Sequence, residues 1–180
     1  MTEKRIQESN YVISQVIKDH IKEDLINPIV NSNRMAKDEY LRESLSVENE
    51  QSEALIMSYL RGIKNGYGSD SCFVVSDKTK KYFTAEGFEK VISPATDEID
   101  VWYTNFLAKN NDYALTVEKE SHNSDKLNIF FDNRITDKSG KFLGVAGVAI
   151  HLEQLQNTIK DLENRFDVHI SLVDRKGLVI

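Results

Sequence analysis

"LNIFFDNRITDKSGKFLGVAGVAIH", from Leu127 to His151, reads as two long β-strands joined by a polar turn. Aromatic and β-branched residues dominate both arms, and "TDKSGK" between them supplies Asp137 and Gly140, residues suited to folding the chain back on itself. Side chains alternate across a strand. On the first arm Leu127, Ile129, Phe131 and Ile135 therefore share an apolar face, while Asn128, Phe130, Asp132 and Arg134 share the other. On the second arm Ala146, Val148 and Ile150 point with the apolar face, and Val145, Gly147, Ala149 and His151 point away from it, where small side chains leave room. Such a hairpin needs helices over its apolar face.

The flanking sequence provides the helices. From Arg5 to about Asn27, Ile13, Val16, Ile17, Ile21 and Leu25 recur at helical spacing among charged residues. Pro28 is expected to kink that helix or end a turn, because it has no backbone donor, and the helical rhythm resumes through Val30, Met35, Tyr40 and Leu41. A second helix follows from Val47 to Lys64, with Leu55, Ile56, Tyr59, Leu60 and Ile63 as its stripe. After "NGYGSDS" come the strands "CFVVS" and "KYFTAE", a helical stretch near Val101 to Ala108, and the strand "YALTVEK". Beyond the hairpin, "LEQLQNTIKDLENRF" is helical through Leu152, Leu155, Ile159 and Leu162, and "VHISLVDRKGLVI" opens a strand, turn and strand. The expected class is α+β: a long N-terminal helix on an antiparallel five-stranded sheet. The divisions are a helical region over 1–64, a sheet module over 65–151, a connecting helix over 152–166 and the first strands of a further module over 167–180.

Composition narrows the function. The net charge of −6 and the scatter of Lys and Arg disfavour nucleic acid. The single cysteine, Cys72, excludes an internal disulfide and a Cys-rich zinc site. No apolar run reaches the length of a membrane span, and the first ten residues carry no hydrophobic signal core. A Gly-rich phosphate loop, a helical pair of metal-binding histidines, a nucleophile elbow and a Cys beside a His base are all missing from the sequence, so nothing positive points to catalysis.

The candidate site centres on "DEIDVWYTNFLAKNNDY", Asp97 to Tyr113, which holds the only tryptophan. Trp102 and Tyr103 can cover a bound molecule with apolar area, an indole N–H and a phenol O–H, or they can be core plugs. Tyr113 carries the same two readings. Asp132 and Arg134 can form an orienting polar pair or an exposed ion pair. Asp97, Glu98 and Asp100 offer oxygens for a cation, but the glycine and spacing of a calcium loop are absent, and helix initiation with Thr96 or Asp97 as N-cap is the plainer role. His151 reads as a strand-end residue and His122 as a loop residue. No cofactor is implied.

"FVVSDKTKKYFT", "VWYTNFLAKNNDYALTVEK" and "LNIFFDNRITDKSGKFLGVAGVAIHLEQL", after a long helix, together resemble the membrane-distal half of a double-Cache (PAS-like, or PDC) sensor domain. Such domains form the extracytoplasmic ligand-binding parts of bacterial diguanylate cyclases, chemoreceptors and histidine kinases. The resemblance covers nearly the whole chain, and "ISLVDRKGLVI" is similar to the start of a membrane-proximal Cache module. It implies a pocket with Trp102, Tyr103, Tyr113, Phe130, Asp132, Arg134 and Ala149 as ligand-binding residues. In amino-acid-binding members an arginine two residues before the Trp-Tyr pair and an aspartate on the last strand clamp the ligand. Those positions are Asp100 and Ala149 here, so the ligand class stays open among carboxylates, amines, other metabolites and an accessory protein.

The implied function is a non-enzymatic periplasmic sensor in a membrane-anchored receptor. It would bind a small polar molecule and signal through the long helix to a cytoplasmic output domain such as a diguanylate cyclase, with a homodimer through the N-terminal helix. The alternative is a dimerisation or partner-interaction module without a ligand.

Overall fold

The computed structural model describes residues 3–67, 71–119 and 126–171. Its centre is the hairpin read above: β5 (Leu127–Thr136) and β6 (Phe142–His151) pair antiparallel from Asn128 opposite His151 to Thr136 opposite Phe142, with a register shift between Ile135 and Thr136. The turn between them is held by Asp137, whose Oδ1 accepts hydrogen bonds from the Ser139 and Lys141 backbone N–H groups, while the Gly140 N–H donates to the Asp137 carbonyl. β1 (Ser71–Ser76) pairs antiparallel with the other edge of β6, β2 (Lys81–Thr84) with β1, and β4 (Tyr113–Lys119) with β5.

The sheet has six strands, in the order β3-β2-β1-β6-β5-β4, where five were expected. The additional strand is β3 (Phe88–Val91). Its four residues alternate no buried face, since Phe88 and Val91 are exposed and Glu89 and Lys90 lie between them, so nothing in its pattern marks it as a strand. Pairing with β2 across the turn that joins Thr84 to Gly87 creates it.

Helices cover one face of the sheet. α1 (Glu3–Ile21) runs into a π-helical turn over Lys22–Ile26 and then α2 (Asn27–Lys37), with Pro28 in the first turn of α2. In the widened turn the Asn27 N–H donates to the carbonyl of Lys22, five residues back, and Pro28, which has no N–H, follows without breaking the rod. The helical rhythm expected to continue through Leu41 is interrupted at Asp38, whose carboxylate caps α3 (Glu39–Val47) by accepting from the Leu41 N–H. Glu48, left-handed at φ 49°, then separates α3 from α4 (Glu50–Tyr67).

The helix expected on the sheet is represented there by α2. Met35 and Ala36 join Leu41, Leu45, Ile56 and Leu60 against Val74, Phe83, Ile135, Ala146 and Val148 in one buried core. A second core packs Ile129, Phe131, Ile150 and Leu155 with Leu25 and Ile29, bringing in α6 (Leu152–Phe166). α1 leaves Tyr11 and Val12 exposed. A polar tie fixes α2 on β5, with the Asn133 amide donating to Ser32 Oγ at 2.8 Å in a buried setting. On the opposite face of the sheet lies a third cluster, formed by Phe73, Val75, Ile92 and Val145 with Tyr103 and Phe106 of α5 (Val101–Lys109). Residues 172–180, most of the strand, turn and strand expected at the C-terminus, lie outside the described residues, as does His122.

Close packing of β6 on β1 is set by glycine. A Cβ on Gly144 would lie 2.1 Å from the Val75 carbonyl oxygen, and backbone in a paired strand cannot swing aside. Gly144→Ala is therefore expected to lower stability by roughly 1–3 kcal/mol, read as a drop in the urea midpoint with an unchanged slope. An unchanged midpoint would mean that β6 does not approach β1 this closely.

Candidate functional site

The face of the sheet opposite α2, on which α5 packs, carries a small cavity of about 60 Å³. Its walls come from six regions of chain: Phe73 of β1, Tyr82 of β2, Glu89 and Lys90 of β3, then Ile99, Asp100 and Trp102, then Thr116 and Glu118 of β4 with Lys119 at the margin, and Phe130 and Asp132 of β5. Strand alternation delivers them, because Phe130 and Asp132 point oppositely to Ile129, Phe131 and Asn133 on the same strand.

Phe73 is the floor. Tyr82 stacks on it at 4.9 Å between ring centroids, and Trp102 and Phe130 approach it edge-on at 5.9 and 6.3 Å. The ring fits only because Gly147 lies beneath: a Cβ there would come within 2.2 Å of Phe73 and 2.8 Å of Asp132 Oδ1. Trp102 is half-buried at the rim. The helix that holds it starts from a capped turn, in which Asp97 Oδ1 accepts from the Ile99 N–H.

Asp132 is the unusual group. It is 3% exposed, and its Oδ1 has no hydrogen-bond partner. Burial, with the nearby Glu118 charge adding to it, pushes its carboxyl up to about 8. Burial also raises Glu118, against an opposing hydrogen bond from Thr116, and it raises the Tyr82 hydroxyl. Asp100 is equally buried but partnered: Lys90 Nζ lies 2.7 Å from Oδ1, and the Ser93 N–H donates to Oδ2 at 2.7 Å.

Of the residues singled out in the sequence, the fold brings Trp102, Phe130 and Asp132 together around this cavity. Tyr103 lies behind it, 1% exposed, with its hydroxyl donating to Asp77 Oδ1 at 2.7 Å. Burial and that bond raise the Tyr103 hydroxyl, while for Asp77 burial is outweighed by hydrogen bonds from Lys80 and Tyr103, so its carboxyl is lowered. Ala149 is buried on β6 opposite Phe130. Tyr113 stands 66% exposed on the edge strand. Arg134 does not pair with Asp132: its guanidinium lies over the rings of Phe142 and Phe106 at 4.8 and 5.4 Å, and its Nε donates to the Asn111 carbonyl. The two residues share a face of the strand, but the rings and the Asn111 carbonyl hold the guanidinium away from Asp132. Phe73, Tyr82 and Glu118 were not singled out in the sequence. Glu118 was accessible to the same alternation that selected Asp132, since β4 reads Ala114, Thr116, Glu118 on one face.

No family model matches the chain. Solved structures do. The ligand-binding domain of the Pseudomonas aeruginosa PAO1 amino acid chemoreceptor PctC, in complex with GABA, superposes with a TM-score of 0.61 at 17% identity, over 96% of this chain and 75% of that one. The sensory domain of the Campylobacter jejuni chemoreceptor Tlp3 gives 0.58 at 18% identity, over 94% and 67%. The sensor domain of the V. cholerae histidine kinase DctB gives 0.58 at 13% identity, over 86% and 59%. The chain has the Cache-type fold of these bacterial sensor domains and spans about two thirds of their length.

The state of Asp132 has a stability consequence with a definite sign. Its carboxyl holds a proton to about pH 8 in the folded chain, against a usual unfolded value of about 3.9. Between those values the folded form binds the extra proton, so the stability it contributes is full below the unfolded value and is lost as pH rises through about 8. Asp132→Asn is expected to remove this loss and to exceed the parent at about pH 9 by roughly 1–3 kcal/mol. Urea unfolding of both proteins at about pH 5 and about pH 9 measures it, and parallel pH dependences would place the Asp132 carboxylate in contact with water or a cation.

Proposed function

We propose that this chain is the extracytoplasmic ligand-binding part of a bacterial transmembrane signalling receptor, taking a small polar molecule into the cavity under Trp102. The observation that carries the reading is the buried carboxyl of Asp132, whose Oδ1 has no hydrogen-bond partner, in an aromatic enclosure. A core built only for stability would place an apolar residue there, since an unsatisfied buried polar group costs free energy. Trp102, Phe130 and Asp132 touch the ligand in this reading, and Tyr103 positions Trp102 from behind through its bond to Asp77. The fold shared with chemoreceptor and histidine kinase sensor domains supports a sensory role without catalysis. Membrane anchoring, a periplasmic location and an output domain such as a diguanylate cyclase belong to the same proposal.

The sheet offers a route for the signal. Asp132 faces the cavity, and its neighbour Asn133 faces the other way, bonded to Ser32 of α2. A ligand that displaces β5 therefore acts on the helix one residue away through the sheet. Only differential affinity for two sheet-helix arrangements can shift their populations.

A second reading rests on Tyr113, Leu115 and Val117, which stand exposed in a row on edge strand β4. Such a stripe suits a dimerisation or partner-interaction module.

A thermal-shift panel of small carboxylates, amines and amino acids separates the two. A ligand that binds only the folded form raises the melting temperature, and Trp102→Ala is expected to weaken a hit about tenfold or more while leaving the ligand-free protein folded. Silence across the panel, together with a concentration-dependent dimer abolished by Leu115→Lys, would favour the second reading.

A further inference from the structure

The chemistry lining the cavity narrows what it accepts. Four carboxylates, Glu89, Asp100, Glu118 and Asp132, face it against two ammonium groups, Lys90 and Lys119. Lys90 is engaged by Asp100 at 2.7 Å, so that cation is spent inside the wall. A carboxylate ligand would meet the acidic side chains of Glu89 and Glu118 with no guanidinium at hand, because Arg134 is held over Phe142 and Phe106. The remaining surface is aromatic: Phe73, Tyr82, Trp102 and Phe130. Aromatic faces attract cations and cover methyl or methylene groups without asking for hydrogen bonds.

We propose that the cavity takes a compact organic cation, an alkylammonium or N-methylated ammonium group, with the Asp132 carboxylate as its ionic anchor and the rings of Trp102, Phe130 and Phe73 around its carbon substituents. This rests on the reading of the cavity as a ligand site. A bare metal ion is a poorer occupant, since among the described residues no three His, Cys, Asp or Glu side chains converge in a way that could hold one. The volume of about 60 Å³ admits a small headgroup directly, and a bulkier one requires outward movement of half-buried Trp102.

Charge balance adds a signature. The groups facing Asp132 are Glu118 and Lys119 on β4, Tyr82 on β2, Glu89 and Lys90 on β3, and Asp100 before α5. Burial and Glu118 favour the protonated carboxyl in the empty cavity. A cation arriving at Asp132 favours the carboxylate instead, so the acid becomes its anion, the cation stays paired with it, and the proton leaves to solvent. Binding at neutral pH then releases about one proton per ligand, and markedly less once the pH exceeds the carboxyl's value of about 8.

The test is calorimetric titration of the chain with methylammonium, trimethylammonium and tetramethylammonium chlorides, with sodium acetate, propionate and glycine as comparison ligands. Each is run at about pH 7 in two buffers of different ionisation enthalpy. The expected result is heat from at least one ammonium and none from acetate or propionate, proton release at about pH 7, and a loss of tenfold or more in Asp132→Asn. Asp132→Asn must first be shown to be folded, by its melting transition. Ammonium binding that is unchanged in Asp132→Asn would overturn the anchor. Preferential binding of acetate, propionate or glycine, lost in Trp102→Ala, would overturn the cation class while leaving the ligand site standing. Absence of heat from every ligand, with no shift in melting temperature, would remove the site itself.

Discussion

The benzyl ring of Phe73 occupies the space that a side chain on Gly147 would need. That single substitution of ring for side chain organises the α5 side of the sheet. With the ring laid against β6, Tyr82 can stack on it from one neighbour strand, and Phe130 and Trp102 can meet its edge. Each of these contacts is a modest one of about 0.5–1.5 kcal/mol beyond burial, but together they decide where empty space remains. Any larger residue at 147 would lift the floor and close the cavity. Phe73 and Gly147 face each other across the β1-β6 ladder, so the strand register itself sets the pocket.

The two faces of the sheet obey different rules. On the helical side the polar groups that order the helices against the sheet are paired: Asn133 donates to Ser32, and Asp38 caps α3. On the other side a carboxylate is left buried without a partner for Oδ1. A protein that violates one local rule while keeping the others concentrates the violation where function is carried. In the proposed reading, the cost is borne by the empty domain and is relieved when something of the right charge arrives. Asp100 marks the contrast within the same cavity, since it is as buried as Asp132 yet answered by Lys90 and by a backbone donor.

Much of this was legible in the sequence because β-strands have a period of two. The alternation along Leu127 to Thr136 separated Phe130 and Asp132 from Ile129 and Phe131, and the structure keeps that separation. Helix positions followed from apolar spacing in the same way. What resisted reading was whatever depends on distance between segments. β3 has no pattern of its own and exists through its pairing with β2. Arg134 shares a face with Asp132, but periodicity cannot reveal that Phe106 and Phe142 would claim its guanidinium. Lys90 could not be matched to Asp100, because ten residues and a turn separate them in the chain. Nothing in the strand "CFVVS" singles out Phe73, and only the missing Cβ of Gly147 gives it its place.

The wide turn at Lys22–Ile26 has a geometric consequence for everything before it. One extra residue in a helical turn offsets the following side chains by about 100° relative to an unbroken α-helix. The stripe through Ile13, Ile17 and Ile21 is therefore out of phase with the stripe through Met35 that grips the sheet, although the rod is continuous. Two partners on different sides can thus be served by one helix, the sheet by α2 and another surface by α1. A neighbouring helix running straight along α1 would lose its seam at this turn, so twisting or sliding of α1 need not be copied by α2 at the same angle.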